Sequence, residues 1–347
     1  MKRITCLLLL FPLLGCQQSG ANPLTLKPVV VDEAAAYPSQ ESGTKPPILT
    51  GFTSLSKEDL DNGWVQLFDG ISTFGWEVAE GDGTLSVMTD GSKNYLVFDQ
   101  RRQGKSIVLH RFSEDAIIRE SNVNTYRKYA KECWFTECKS TTSLATAIPL
   151  GLNRYMVYGL RAKPHPHKIQ PLTESDWKPA AGKCEAKWTD GVLELTGGSG
   201  MVESVKEYGD FILQLEYFTE KKINSGVFFR CIPGENMNGY ECQIFNAPPE
   251  DDYKKFIGTD TGGIFRRQVG RNVGPKDGEW NYLTIAAQGA KIATWVNGIQ
   301  VTDWEDTRKE HANPRNGLRL EPGTIQLQGH DPGTKILFRH FRITEIK

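Results

Sequence analysis

From Trp188 to the C-terminus, apolar and polar residues alternate in short runs bounded by Gly, Asp and Asn. Val192–Leu195 ends in Gly197-Gly198. Phe211, Leu213, Leu215 and Tyr217 share one face of the next run, with Gln214 and Glu216 on the other. Runs at Ser225–Cys231, Tyr240–Phe245, Tyr282–Ala287 and Lys291–Val296 follow. Asn297-Gly298 is a strong two-residue hairpin signal, and Ile299–Val301 returns from it. Thr324–Gln328 and Ile336–Thr344 close the chain. A period of two with turns every 8–12 residues, and no long helical period, predicts an all-β antiparallel β-sandwich or jelly roll. Short helices are expected only near Lys57–Asp61 and Glu120–Lys131.

The first residues follow a different pattern. Lys2 and Arg3 precede an apolar run from Ile4 to Leu14, too short for a bilayer-spanning helix and suited to an export signal. Leu13-Leu14-Gly15-Cys16, followed by polar residues, has the form of a bacterial lipobox. Residues 1–15 are thus expected as a lipoprotein signal peptide, with Cys16 lipidated. Residues 16–50 hold Pro23, Pro28, Pro38, Pro46 and Pro47 among small and polar residues. They are expected as a disordered tether that buries too little apolar area to offset its ordering entropy.

Two arrangements fit the rest. Residues 62–76, with Leu67-Phe68-Asp69-Gly70 and Gly75-Trp76, are faintly echoed at 169–177. That suggests a rudimentary or divergent unit over 51–165 followed by a complete domain over 168–347. The other arrangement is one sandwich with a long insertion after Trp76. The 347 residues accommodate either, at roughly 150 residues per domain.

Lys+Arg (41) against Asp+Glu (42) leaves a net charge of -1, which argues against a general nucleic-acid binder. With Cys6 removed and Cys16 lipidated, five cysteines remain, and one is left over if all pair internally. Parity places Cys231 with Val227 and Phe229, and Cys242 with Tyr240 and Ile244, both opposite the polar faces of their strands. In an exported protein this predicts a Cys231–Cys242 disulfide. The same parity gives three strands a polar face: Gly226, Phe228 and Arg230 on one, Glu241 and Gln243 on the next, and Gln326, Gln328 and His330 on the last. Such a face is either solvated or a concave binding surface. Trp304, beyond the hairpin, is a candidate for the rim. His340 and Trp280 read as structural, and His165 and His167 as part of a linker.

Several stretches together resemble a known family, the 3-keto-disaccharide hydrolases, also described as 3-keto-α-glucoside-1,2-lyases/3-keto-2-hydroxy-glucal hydratases. They include Tyr208-Gly209-Asp210-Phe211, Asn224–Arg230, Gly239–Ile244, Thr261-Gly262-Gly263-Ile264, Gly278-Glu279-Trp280-Asn281, Trp295-Val296-Asn297-Gly298, Ile325–His330 and Phe338-Arg339. The likeness covers about 168–347. Leu67-Phe68-Asp69-Gly70 also fits, and 78–165 does not. The resemblance implies a concanavalin-like jelly roll acting on oxidised di- or oligosaccharides or glycosides, in a bacterial lipoprotein of the cell envelope. It also makes Asn224 a substrate-binding candidate.

A ketone at sugar C3 acidifies the C2 proton, so a base can drive elimination of the C1 substituent, and water then adds back. This needs a base, a group stabilising the enolate, and an acid for the leaving oxygen. Glu241 and His330 are the base candidates and Arg230 the enolate stabiliser, with Gln243 and Gln328 orienting hydroxyls. The two facing carboxylates of ordinary glycosidases are absent from this polar face. No cofactor is expected. A divalent metal held by Glu241 and His330 would polarise the ketone, but no spacing marks it. The alternative function is a non-catalytic carbohydrate-binding module.

Overall fold

The computed structural model describes residues 26–80, 83–91, 93–99, 107–110, 116–118, 137–139, 154–157, 161–164 and 169–346. The signal segment, Cys16, His165, His167 and the helix expected at Glu120–Lys131 lie outside the described residues.

The alternating runs form two facing sheets. The strands are β1 (Ile169–Pro171), β2 (Trp177–Gly182), β3 (Glu185–Thr189), β4 (Val192–Thr196), β5 (Gly200–Ser204), β6 (Phe211–Thr219), β7 (Ser225–Cys231), β8 (Tyr240–Ile244), β9 (Trp280–Gln288), β10 (Lys291–Val296), β11 (Ile299–Glu305), β12 (Thr324–Gly329) and β13 (Lys335–Glu345). One sheet runs β3-β4-β13-β6-β9-β10-β11, with β1 on β13, and the other runs β2-β5-β12-β7-β8. All pairings within the two are antiparallel. The chain is therefore an all-β jelly-roll sandwich.

The predicted inward residues are the core. Leu213, Leu215 and Tyr217 from β6 meet Val227, Phe229, Cys242, Ile325 and Leu327 from the opposite sheet. The hairpin forms where Asn297 and Gly298 both take positive φ (49° and 79°), the conformation of a tight two-residue turn. A helix forms at Lys57–Asp61, capped by Ser56. β2, β3 and β5 are strands that the period-two pattern did not mark.

Residues 26–50 depart from the expected tether. Lys27–Pro28 pairs with Met88–Thr89, and Asp32 caps a one-turn helix whose Ala35 and Ala36 enter the main core. Leu49 is buried in the same core, and its backbone N–H donates to the Asn272 carbonyl. Small side chains fit a close approach that a hydrophobicity pattern does not register.

Residues 63–76 lie against the sandwich too. Ile71 joins the main core, and Val65, Leu67, Phe68 and Trp76 cover Ile212, Ala286, Ala293 and Trp295 on the outer face of the larger sheet. Trp295 Nε1 donates to the Gln66 carbonyl (3.0 Å), and buried Arg271 pairs with buried Asp69. Residues 63–76 thus pack directly on the sandwich formed by residues 169–346. The remaining described strands before residue 164 form small sheets of three or four strands.

The disulfide expectation fails on register. Cys242 sits opposite Val227, four residues from Cys231, which is about 13 Å along a strand. A bulge between Phe228 and Cys231, with Arg230 at φ 49°, also turns Cys231 to the other face. Cys231 packs with Met201 and Phe228, Cys242 packs in the main core, and both thiols are free. Burial pushes both thiols upward in pKa. Both cysteines should resist maleimide in the native protein and react fully in denaturant without reductant, as read by peptide mass. Protection that persists until reductant is added would restore the disulfide.

Candidate functional site

The outer face of the β2-β5-β12-β7-β8 sheet carries a pocket of about 650 Å³. Of the seven candidate catalytic and binding residues, five line it: Glu241, Gln243, Gln328, His330 and Asn224. A second cleft of about 640 Å³, beside Glu216 and His340 on the other sheet, holds none of them.

Glu241 is the floor of the pocket. It is 5 % exposed, and its Oε2 accepts from Arg315 Nη2 at 2.9 Å. Gln243, with its amide nitrogen turned to its acceptors, donates to the Ser225 carbonyl (3.0 Å) and to Glu241 Oε1 (3.1 Å). A Cβ at Gly226 would stand 2.9 Å from Glu241 Oε1, so glycine leaves the carboxylate its space. Burial pushes the carboxyl above its ordinary range, against the opposing pull of the Arg315 charge.

His330 stands at the mouth. Its Nδ1 lies 3.0 Å from Asp331 Oδ2 and its Nε2 lies 3.3 Å from Asn224 Nδ2. The bond from His330 holds Asp331 below the usual carboxylate range. With the imidazole neutral, the ionised Asp331 accepts from Nδ1–H, and Nε2 then accepts from Asn224 Nδ2. The backbone N–H groups of 330 and 331 both donate to Thr334 Oγ1, fixing the turn.

Two expectations are corrected. Arg230 does not reach the pocket. The bulge swings it to the edge of the sandwich, where it is fully buried and donates to the carbonyls of Gly209, Gly289 and Arg319 and to Asp210 Oδ1. Trp304 packs edge-on against Tyr240 at 6.1 Å, away from the pocket lining.

The loops supply what the strands did not reveal. Arg315 lies 5.0 Å from the ring of Phe228 and adopts the place expected of Arg230. Arg266 and Arg267 come from the β8–β9 loop, and Asn236, Met237 and Asn238 from the β7–β8 loop. Glu203 clamps that second loop. Its Oε1 accepts from Gly234 N (3.0 Å), Thr324 Oγ1 (2.6 Å) and Gln326 Nε2 (3.3 Å), while Gln326 Nε2 also donates to the Glu235 carbonyl (2.8 Å). Burial would raise the Glu203 carboxyl, but these donors together hold it below its ordinary range. In the sequence, the sole mark of this cluster is the Arg266-Arg267 doublet. Among the described residues, no group of three or more His, Cys, Asp or Glu is placed to hold a metal.

Residues 172–344 match the family model of the 3-keto-alpha-glucoside-1,2-lyase-like domain. A search of curated proteins found no match. Among solved structures, a Parabacteroides distasonis protein provisionally named a glycosyl hydrolase is 27% identical, over 49% of this chain and 99% of that one, with a TM-score of 0.40. A Bacillus licheniformis β-glucanase is 14% identical over 52% of this chain and 97% of its own (TM-score 0.36). A Bacillus subtilis carbohydrate-binding module is 14% identical over 49% and 96% (TM-score 0.35).

Proposed function

Residues 172–344 belong to the 3-keto-alpha-glucoside-1,2-lyase-like family, and from that premise we propose that the pocket cleaves 3-keto-glycosides by elimination and rehydration. The observation that carries the reading is the convergence in one pocket of a buried, ion-paired Glu241 with His330, whose Nδ1 faces Asp331 behind it.

Glu241 takes the C2 proton. The C2–H electrons pass into a C2=C3 enolate. As its C3=O bond re-forms, the C1=C2 double bond forms, the C1–O bond breaks, and the leaving oxygen takes a proton from Nε2 of the His330 imidazolium. Asp331 holds the imidazole through Nδ1 and stabilises its cationic form. Arg315, the cation on Glu241, stabilises charge on the enolate in the role first expected of Arg230. Water then adds across the double bond, with hydroxyl at C1 and hydrogen at C2, so the net result is hydrolysis. Gln243, Gln328 and Asn224 bind sugar hydroxyls.

The test is incubation with a 3-keto-disaccharide beside its unoxidised parent, following released monosaccharide. Release from the oxidised sugar alone supports the reading. Equal release from both, or binding of both without release, defeats it, and the latter marks a carbohydrate-binding module.

We also propose, on the N-terminal sequence alone, that the chain is exported and held in the bacterial envelope by acyl chains on Cys16. A Cys16→Ala variant should remain unprocessed or leave the membrane fraction. Processing and membrane partition equal to the wild type would remove the anchor from the proposal.

A further inference from the structure

The pocket carries more positive charge than the elimination requires. Its charged and titratable lining groups are Glu241, Asp252, Arg266, Arg267, Arg315 and His330. Arg315 is matched by Glu241, and the neighbouring Arg308 by Asp306. Arg267 donates to the carbonyls of Arg266 (2.8 Å) and Arg315 (2.6 Å), neutral acceptors both. Burial, with the charges of Arg308 and Arg315, lowers its proton affinity against the weaker opposing pull of Asp306, which already pairs with Arg308.

Arg266 is exposed at the mouth. Its guanidinium lies 4.9 Å from the ring centre of Phe256 and 5.3 Å from that of Phe265. The two rings hold the cation in place, and the Glu241 carboxylate, already paired with Arg315, feels its charge without bonding to it. Its backbone lies in the left-handed region (φ 63°), which non-glycine residues seldom adopt and which directs this side chain over the pocket. Among the described residues, no ion pair joins Arg266 or Arg267 to Asp252 or to any other carboxylate. Adjacent like charges around a partly closed pocket are costly, and neutral hydroxyls do not offset them. An oxyanion does so through charge-assisted, often bidentate, hydrogen bonds.

We infer that the sugar bound here carries an oxyanion substituent, a carboxylate or a sulfate or phosphate ester, seated against Arg266 and Arg267. The inference deepens the proposed function and rests on the pocket being a sugar site.

The experiment compares three disaccharides: a neutral glucosyl-glucose, its glucuronic-acid counterpart and its 6-sulfated counterpart. Each is used unoxidised for calorimetric binding and as the 3-keto form for turnover. The charged sugars should bind about tenfold tighter or better, the range of a charge-assisted hydrogen bond. The advantage should shrink in about 0.5 M salt. The ratio of charged to neutral affinity should fall towards one in Arg266→Ala and stay partly intact in Arg266→Lys. Preference for the carboxylated or for the sulfated sugar names the substituent.

Neutral and charged sugars binding within about twofold of each other would overturn the inference. So would a charged-sugar advantage that survives in an Arg266→Ala/Arg267→Met variant whose urea midpoint matches the wild type. The two readings fail separately. If the 3-keto sugars are cleaved equally well whatever their charge, the lyase reading stands and this inference falls. If charged sugars bind with the Arg266-dependent advantage and no 3-keto form is cleaved, the anion site stands and the lyase reading falls.

Discussion

Replacing Glu241 by Gln is expected to lower turnover of a 3-keto-disaccharide by about 10²–10⁴-fold, the usual cost of losing a general base. The substitution keeps the side-chain volume and one acceptor for Arg315 but turns an N–H towards the Gln243 amide, so turnover should be compared per folded molecule, with the folded fraction read by urea denaturation. The pH profile carries a sharper signature. A base works in its ionised form, so kcat/KM falls as pH drops through the carboxyl's pKa. Burial raises that pKa, so the acid limb should lie above the range of an ordinary glutamate. The Arg315 charge pulls in the opposite direction, and Arg315→Met should move the limb to still higher pH. Wild-type turnover in Glu241→Gln, or an acid limb unmoved by Arg315→Met, would remove Glu241 from the base role.

Arg230→Met is expected to destabilise the fold by about 3–5 kcal/mol without touching the chemistry. The guanidinium is fully buried and donates to three backbone carbonyls and to Asp210. Methionine offers comparable length but no donors, so those acceptors lose their partners away from water. Urea denaturation should show the loss, while kcat per folded molecule stays near the wild type. A variant of native stability that is inactive would return Arg230 to the site.

How far the site could be read in the sequence depends on the element that supplies each residue. Glu241, Gln243 and Gln328 lie on regular strands, where alternation alone assigns the face, and all three line the pocket. His330 is one residue past β12 and still follows its parity. Arg230 obeys the same count only until the bulge inserts an extra residue against β12. One unpaired position reverses the face, and it moved both Arg230 and Cys231. Trp304 had no such rule behind it, since proximity to a hairpin does not say which side of an edge a ring will pack on.

Arg315, Arg266, Arg267 and the Asn236–Asn238 segment lay beyond any such reading. Their contacts with the strand residues span long stretches of chain, and loops have no period from which a direction can be counted. Residues 26–50 were misjudged for a related reason. Their few buried side chains are small, and Ala35, Ala36 and Leu49 find their partners only once the two sheets have closed.

The alternation of large apolar side chains along β4 and β6–β13 was therefore enough, by itself, to indicate an antiparallel all-β fold, most of its core and the polar side of the strand that bears Glu241. Burying one face of a pleated strand is a local, period-two demand. The tertiary structure alone decided which cations meet that carboxylate, where the bulge turns Arg230 away, and that residues 48–76 lie against the domain. Each of these rests on contacts between distant segments, whose energies exist only after the chain has folded.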